Sequence, residues 1–166
     1  LPILSSLSRA VQQTLEHDRL VDMVRADLGA MIVGRVCGPR DRLPVLTLDA
    51  ALEGAIVQGL HDPATGDPVV EPDLARLIGE RIAMLCAARA PDDVPLTLVV
   101  QPRARRPLAA LIRLRAPSCL VLSIAELPPA QPIEVVDVIG GETPAAPALP
   151  APGAHSQPMS HESIAA

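Results

Sequence analysis

The sequence predicts an α+β or α/β chain in three parts. A helical subdomain over residues 1–41 precedes a small α/β subdomain with a few-stranded mixed sheet over 42–140. A disordered Pro/Ala-rich tail follows over 141–166. Three observations predict this. Apolar residues recur at helical spacing through the first 36 positions, and short apolar runs alternate with helix-period segments from Leu43 onward. Bulky apolar residues then nearly vanish after Gly140-Gly141. Strands alternating with helices imply a layered α/β arrangement with some parallel pairing.

Leu4, Leu7, Val11 and Leu15 mark one helix face, and Val21, Val24, Leu28, Ile32 and Val36 mark a second helical stretch. Asp18 or Asp22 suits the positive N-terminal end of that second helix, and Gly38-Pro39 stops it. The two are expected to pack as a pair. Leu43–Leu48 reads as a buried strand, with Asp49 as the cap of a helix carrying Leu52, Ile56 and Leu60. Turn residues make 61–68 a loop, and Pro72 opens a helix bearing Leu74, Leu77, Ile78, Ile82 and Leu85. Leu96–Val100 is a strand, and a helix from about Arg106 to Arg115 follows with Pro107 near its start. Cys119–Ile124 and Ile133–Ile139 are the remaining strands. The segment 141–166 holds five Pro and seven Ala, too little apolar surface to offset the entropy of ordering.

Composition removes several function classes. Aromatic residues are absent, so the core is aliphatic and neither base-stacking platforms nor aromatic cages are available. The net charge of -5 argues against a nucleic-acid binder. Cys37, Cys86 and Cys119 are odd in number, lie far apart and read as reduced, buried thiols. No apolar run reaches the length of a membrane span. The chain opens at Leu1 rather than Met and is expected to be part of a longer protein.

No catalytic motif is present: no P-loop, no Gly-rich dinucleotide turn, no nucleophile elbow, no paired-histidine zinc motif. His17 and His61 stand alone, and His155 and His161 lie in the tail, so no metal or cofactor is expected. A thiol nucleophile would need the fold to bring Cys37 or Cys119 to His61. The one charge feature is Arg103, Arg105 and Arg106, continued by Arg113 and Arg115 without an intervening acid. It reads either as a solvated face paired with acids such as Glu80, Asp92 or Asp93, or as a docking surface for an acidic partner or a neighbouring subunit.

Four blocks then add up to a family. Leu20–Ile32 (LVDMVRADLGAMI) is similar to the LxxxVRxxLGRxI helix of the type III export-gate proteins, and Leu43–Glu53 (LPVLTLDAALE) to their LxVLTLDPxLE. Arg105-Arg106-Pro107-Leu108 through Ile112 resembles RRxLRxLI, and Cys119–Pro129 (CLVLSIAELPP) resembles xxVVLSxxEIPP. Ala30, Ala50 and Ile124 stand where the family has Arg, Pro and an aromatic residue. Thr47 and Glu126-Leu127-Pro128-Pro129 favour the flagellar (FlhA-type) branch, with the injectisome (SctV-type) branch as alternative. The resemblance implies a multi-pass inner-membrane protein, with this part on the cytoplasmic side forming a nine-membered ring with copies of itself. It implies a docking and gating role rather than an enzyme. The implied partners are export chaperone–substrate complexes, export ATPase components and other export-gate membrane proteins. Arg103, Arg105 and Arg106 are the candidate partner or ring interface.

Overall fold

The computed structural model describes residues 2–141, and the side chains of 2–12, 14 and 15 lie outside that description. Of the expected tail over 141–166, residues 142–166 likewise lie outside the described residues. The chain opens with α1 (Pro2–Asp27) and the short α2 (Gly29–Gly34). Then follow β1 (Leu43–Leu48), α3 (Ala50–Gln58), α4 (Pro72–Ala87), β2 (Thr97–Val100), α5 (Pro102–Arg115) and β3 (Leu120–Ser123). A 3-10 turn (Ile124–Glu126) leads to β4 (Ile133–Ile139).

The helix pair expected from two apolar stripes is a single helix over Pro2–Asp27. The stripe of Leu4, Leu7, Val11 and Leu15 and the stripe that begins with Val21 and Val24 are roughly a third of a turn out of phase at 100° per residue. A phase change reads as a break in sequence, yet one helix spans it. The interruption comes at Leu28 instead, where φ -91 and ψ 7 leave the helical region. The described side chains of α1 join neither apolar core, and the packing of Leu4, Leu7, Val11 and Leu15 lies outside the described residues.

The four strands form one sheet in the order β3-β2-β1-β4. It was expected to be mixed; its three pairings are all parallel. The physical reason is that no two strands are joined by a tight turn. α3 and α4 lie between β1 and β2, and α5 lies between β2 and β3, so each strand re-enters in the same direction. Both faces are covered, which explains the unbroken apolar runs LPVLTL, TLVV and LVLS. Leu46, Leu48, Leu98, Val100, Val121 and Ile139 pack beneath the α3–α5 layer on Ile56, Ile78, Ile82, Leu108 and Ile112. Leu43, Val45, Val99 and Leu122 face the opposite side, where Val33 and Cys37 cover them.

Smaller departures have local causes. Asp49 caps α3 as expected, its carboxylate accepting from Ala51 N at 3.0 Å and Leu52 N at 3.2 Å. α3 ends at Gln58, so Leu60 falls outside it and is exposed. α5 begins at Pro102, four residues before its expected start, so Pro107 sits inside it and one helical bond to the Arg103 carbonyl is forgone. Ile124 leaves β3 for the 3-10 turn. Where β1 steps from Val45 to Leu46, β4 steps from Val135 to Asp137, and this bulge turns Asp137 inward onto Arg81 at 2.9 Å.

Candidate docking site

Pro102 suits the first turn of α5, and burial of Ala104, Leu108 and Ile112 fixes the rotation of the helix. That turn holds no acid, so Arg103, Arg105 and Arg106 crowd the positive end of the helix dipole. Gln101, just before it, donates its N–H to Glu53 Oε1 at 2.6 Å. The remaining compensation comes from carboxylates on other elements. Arg106 Nη1 lies 2.6 Å from Asp18 Oδ2 and 3.7 Å from Asp67 Oδ2, and its Nη2 lies 3.3 Å from Asp22 Oδ2. Arg105 Nε lies 3.2 Å from Glu126 Oε1, and its Nη1 lies 3.8 Å from Asp22. Burial is the largest influence on Arg105 and lowers its pKa, and the neighbouring charge of Arg25 acts in the same direction.

Glu126 is the hub. Its side chain is 1% exposed, and Arg25 donates to both of its oxygens, Nε to Oε1 at 3.1 Å and Nη2 to Oε2 at 3.0 Å. Such a bidentate pair is the arrangement that lets a carboxylate sit out of water. Gly29 closes the same joint: a Cβ there would collide with the Glu126 carbonyl oxygen.

Arg103 behaves differently. It is exposed, and its Nη2 lies 3.4 Å from His61 Nε2. With Arg106 it lines a cleft of about 500 Å³ between α1, the start of α5 and the 61–68 loop. The loop is shaped by Asp62, whose carboxylate accepts from Ala64 N and Thr65 N, and by Gly66 at φ 71. The fold thus splits the predicted arginine trio. Arg105 and Arg106 are engaged inside the molecule, and Arg103 faces solvent at the cleft mouth.

Of the acids expected to pair with this cluster, Glu80 pairs with Arg76 and Asp93 with Arg89, each four residues apart, and Asp92 forms no ion pair among the described residues. Arg25, Glu126, Asp18 and Asp22 escaped the sequence reading as partners of the arginines. Signals existed. Asp18, Asp22 and Arg25 share one helix face by spacing, and Arg25, Gly29, Arg105, Arg106 and Glu126 are all fixed letters of the blocks that carried the resemblance. The thiols have other neighbours. Cys37 meets the Gly38 and Asp41 carbonyls and Gln131, whereas Cys119 meets the Leu120 carbonyl, and burial pushes its thiol up to about 12. Among the described residues, no group of His, Cys, Asp and Glu could hold a metal ion.

Comparison with known proteins identifies the setting of this joint. Residues 1–132 match the FHIPEP family. Among solved structures, the MxiA protein of Shigella flexneri is similar at 28% identity and TM-score 0.61, over 73% of this chain and 38% of that one. The CdsV protein of Chlamydia pneumoniae is similar at 24% identity and TM-score 0.60, over 72% and 34%. The nonameric SctV-C of EPEC is similar at 20% identity and TM-score 0.56, over 70% and 35%. The chain therefore spans a little over a third of the length of these structures. No curated protein matches. Among the described residues, no helix is long and apolar enough to cross a membrane. The chain belongs to the FHIPEP family, the family of the type III export gate.

Proposed function

We propose that this chain is a cytoplasmic docking and gating part of a type III export gate, acting by binding and movement rather than by catalysis. The observation that carries the reading is its 28% identity to MxiA across almost three quarters of its length. In the longer protein, multi-pass inner-membrane segments would hold this part on the cytoplasmic side, with residues 1–41, 42–140 and 141–166 as helical subdomain, α/β subdomain and tail. Self-assembly into a ring is supported by the nonameric state of the similar SctV-C. Partner binding is supported by the solved complex of CdsV with CdsO, whose CdsV is also similar to this chain. Export chaperone–substrate complexes, export ATPase components and other export-gate membrane proteins are the partners we assign to the assembled gate.

Arg103 is the docking residue we single out, because it alone of the trio presents its charge to solvent. Charge at such a position guides encounter and register more than it adds affinity. Arg103→Glu in the full-length protein should lower export and weaken retention of the ATPase components at low salt, while the urea midpoint of the 166-residue chain stays put. Normal export with wild-type retention would remove Arg103 from the interface. Replacing Arg105 and Arg106 as well would confound this test, since both also tie α1 down.

Thr47 and Glu126-Leu127-Pro128-Pro129 support the flagellar branch, and the similarity to SctV-C and MxiA favours the injectisome branch as second reading. Deletion of the full-length gene separates them: loss of motility with intact effector secretion supports the first, and the reverse supports the second.

A further inference from the structure

Over residues 16–27, α1 is amphipathic the wrong way round for a helix lying on a folded body. Its face toward the α/β part carries Asp18, Asp22 and Arg25, each in an ion pair with α5 or the 3-10 turn. Its apolar residues Leu20, Met23 and Val24 are 53–65% exposed on the other side. None of its described side chains enters either core. The next helix is the opposite case: Val33 is buried, and Ile32 and Val36 pack on the same core. Between the two stands Leu28, off helical dihedrals, followed by Gly29, whose missing Cβ lets α2 sit against the Glu126 carbonyl.

We propose that α1 is a lever held closed by an ionic clasp, anchored through α2 and pivoting at Leu28-Gly29 when the clasp is neutralised. The clasp has two tiers. At its rim, Arg106 holds Asp18 and Asp22 with side chains 22–40% exposed, so dissolved salt reaches these pairs. At its centre, Glu126 is shut away between Arg25 and Arg105, where salt screens little. Raising ionic strength therefore loosens the rim first, and removing the Glu126 charge leaves Arg25 without its counter-ion and Arg105 with Asp22 alone, at 3.8 Å. A hinge formed by a few terminal residues between rigid helices is the common design of such movements. The lever amplifies them. Position 17 lies about 16 Å from the pivot at 1.5 Å per residue, so a swing of about 20° moves it by about 6 Å. The inference concerns how α1 is held and stands independently of docking at Arg103.

Paired spin labels on the 166-residue chain test it, placed at His17→Cys and Arg113→Cys in a Cys86→Ser background. Both labelled positions are exposed and outside the clasp. At 50 mM NaCl the distance distribution should be narrow, and at 1 M it should broaden by about 6 Å at unchanged urea midpoint. Asp18→Asn with Asp22→Asn should broaden it at low salt and abolish most of the salt response, and Glu126→Gln should broaden it further. A distribution that stays narrow at 1 M NaCl and in the Asp18→Asn/Asp22→Asn variant overturns the proposal. Should Glu126→Gln fail to fold, the rim variant and the salt series decide alone.

Discussion

Two glycines on helices behave oppositely because of what stands beside them. Gly29 abuts the Glu126 carbonyl, so Gly29→Ala must push α2 off the 3-10 turn. A loss of about 2 kcal/mol or more is expected, in the range of a forced core displacement. Gly54, inside α3, faces open space, and Gly54→Ala should gain up to about 1 kcal/mol from helix propensity alone. Urea midpoints of the two variants check the pair. Cys119 adds a pH dependence. Burial first, and the Cys86 thiol second, raise its pKa from 9.0 to about 12. Between those values the unfolded thiol ionises while the folded one keeps its proton, so the folded state binds more protons and stability falls as pH rises. The stability contribution is complete below pH 9 and lost by pH 12, with a slope of up to about 1.4 kcal/mol per pH unit. Cys119→Ala should flatten that part of the stability profile; an unchanged slope would place the thiol in water.

β1, β2 and β3 were the most legible elements, because they are buried on both faces and so write unbroken apolar runs between turn residues, whereas the first four residues of β4 are exposed. Leu122 lies fully buried in β3 against Val33 and Leu43. Leu122→Asp brings an unpaired carboxylate there at a cost of several kcal/mol, comparable with the whole stability of a small domain. Soluble protein with a cooperative urea transition would contradict the burial. Asp49 was legible for a similar local reason, since a cap needs only its own next turn. The continuity of α1 and the wholly parallel sense of the sheet were not, although some parallel pairing was. One depends on which neighbours a helix meets along its length, and the other on where distant strands come to lie. The clasp was hidden for the same reason. Arg105 and Arg106 announce a charge excess, but Asp22 and Glu126 answer it from more than 80 and about 20 positions away. The sequence alone offered Glu80, Asp92 and Asp93 instead, of which Glu80 and Asp93 pair with arginines four residues before them.

On the scale of the whole molecule, the described body closes before its last residues. β4 ends at Ile139, whose carbonyl already accepts the Asp49 N–H at 2.8 Å. Truncation after Gly141 should therefore shift the melting temperature by no more than about 2 °C, well under the shift of about 4–8 °C per kcal/mol for a small domain. A larger drop would mean that residues beyond 141 contribute to packing. The strand order has a further consequence, for synthesis. β1 lies inside the sheet, yet Leu43 pairs with Ile133, ninety positions later. While the chain emerges from the ribosome, one edge of β1 has no partner until nearly the entire body has been translated. Long-range parallel pairing is slow to form and leaves unpaired edges open to wrong association meanwhile. The nascent protein thus keeps an open strand edge on β1 until β4 leaves the exit tunnel.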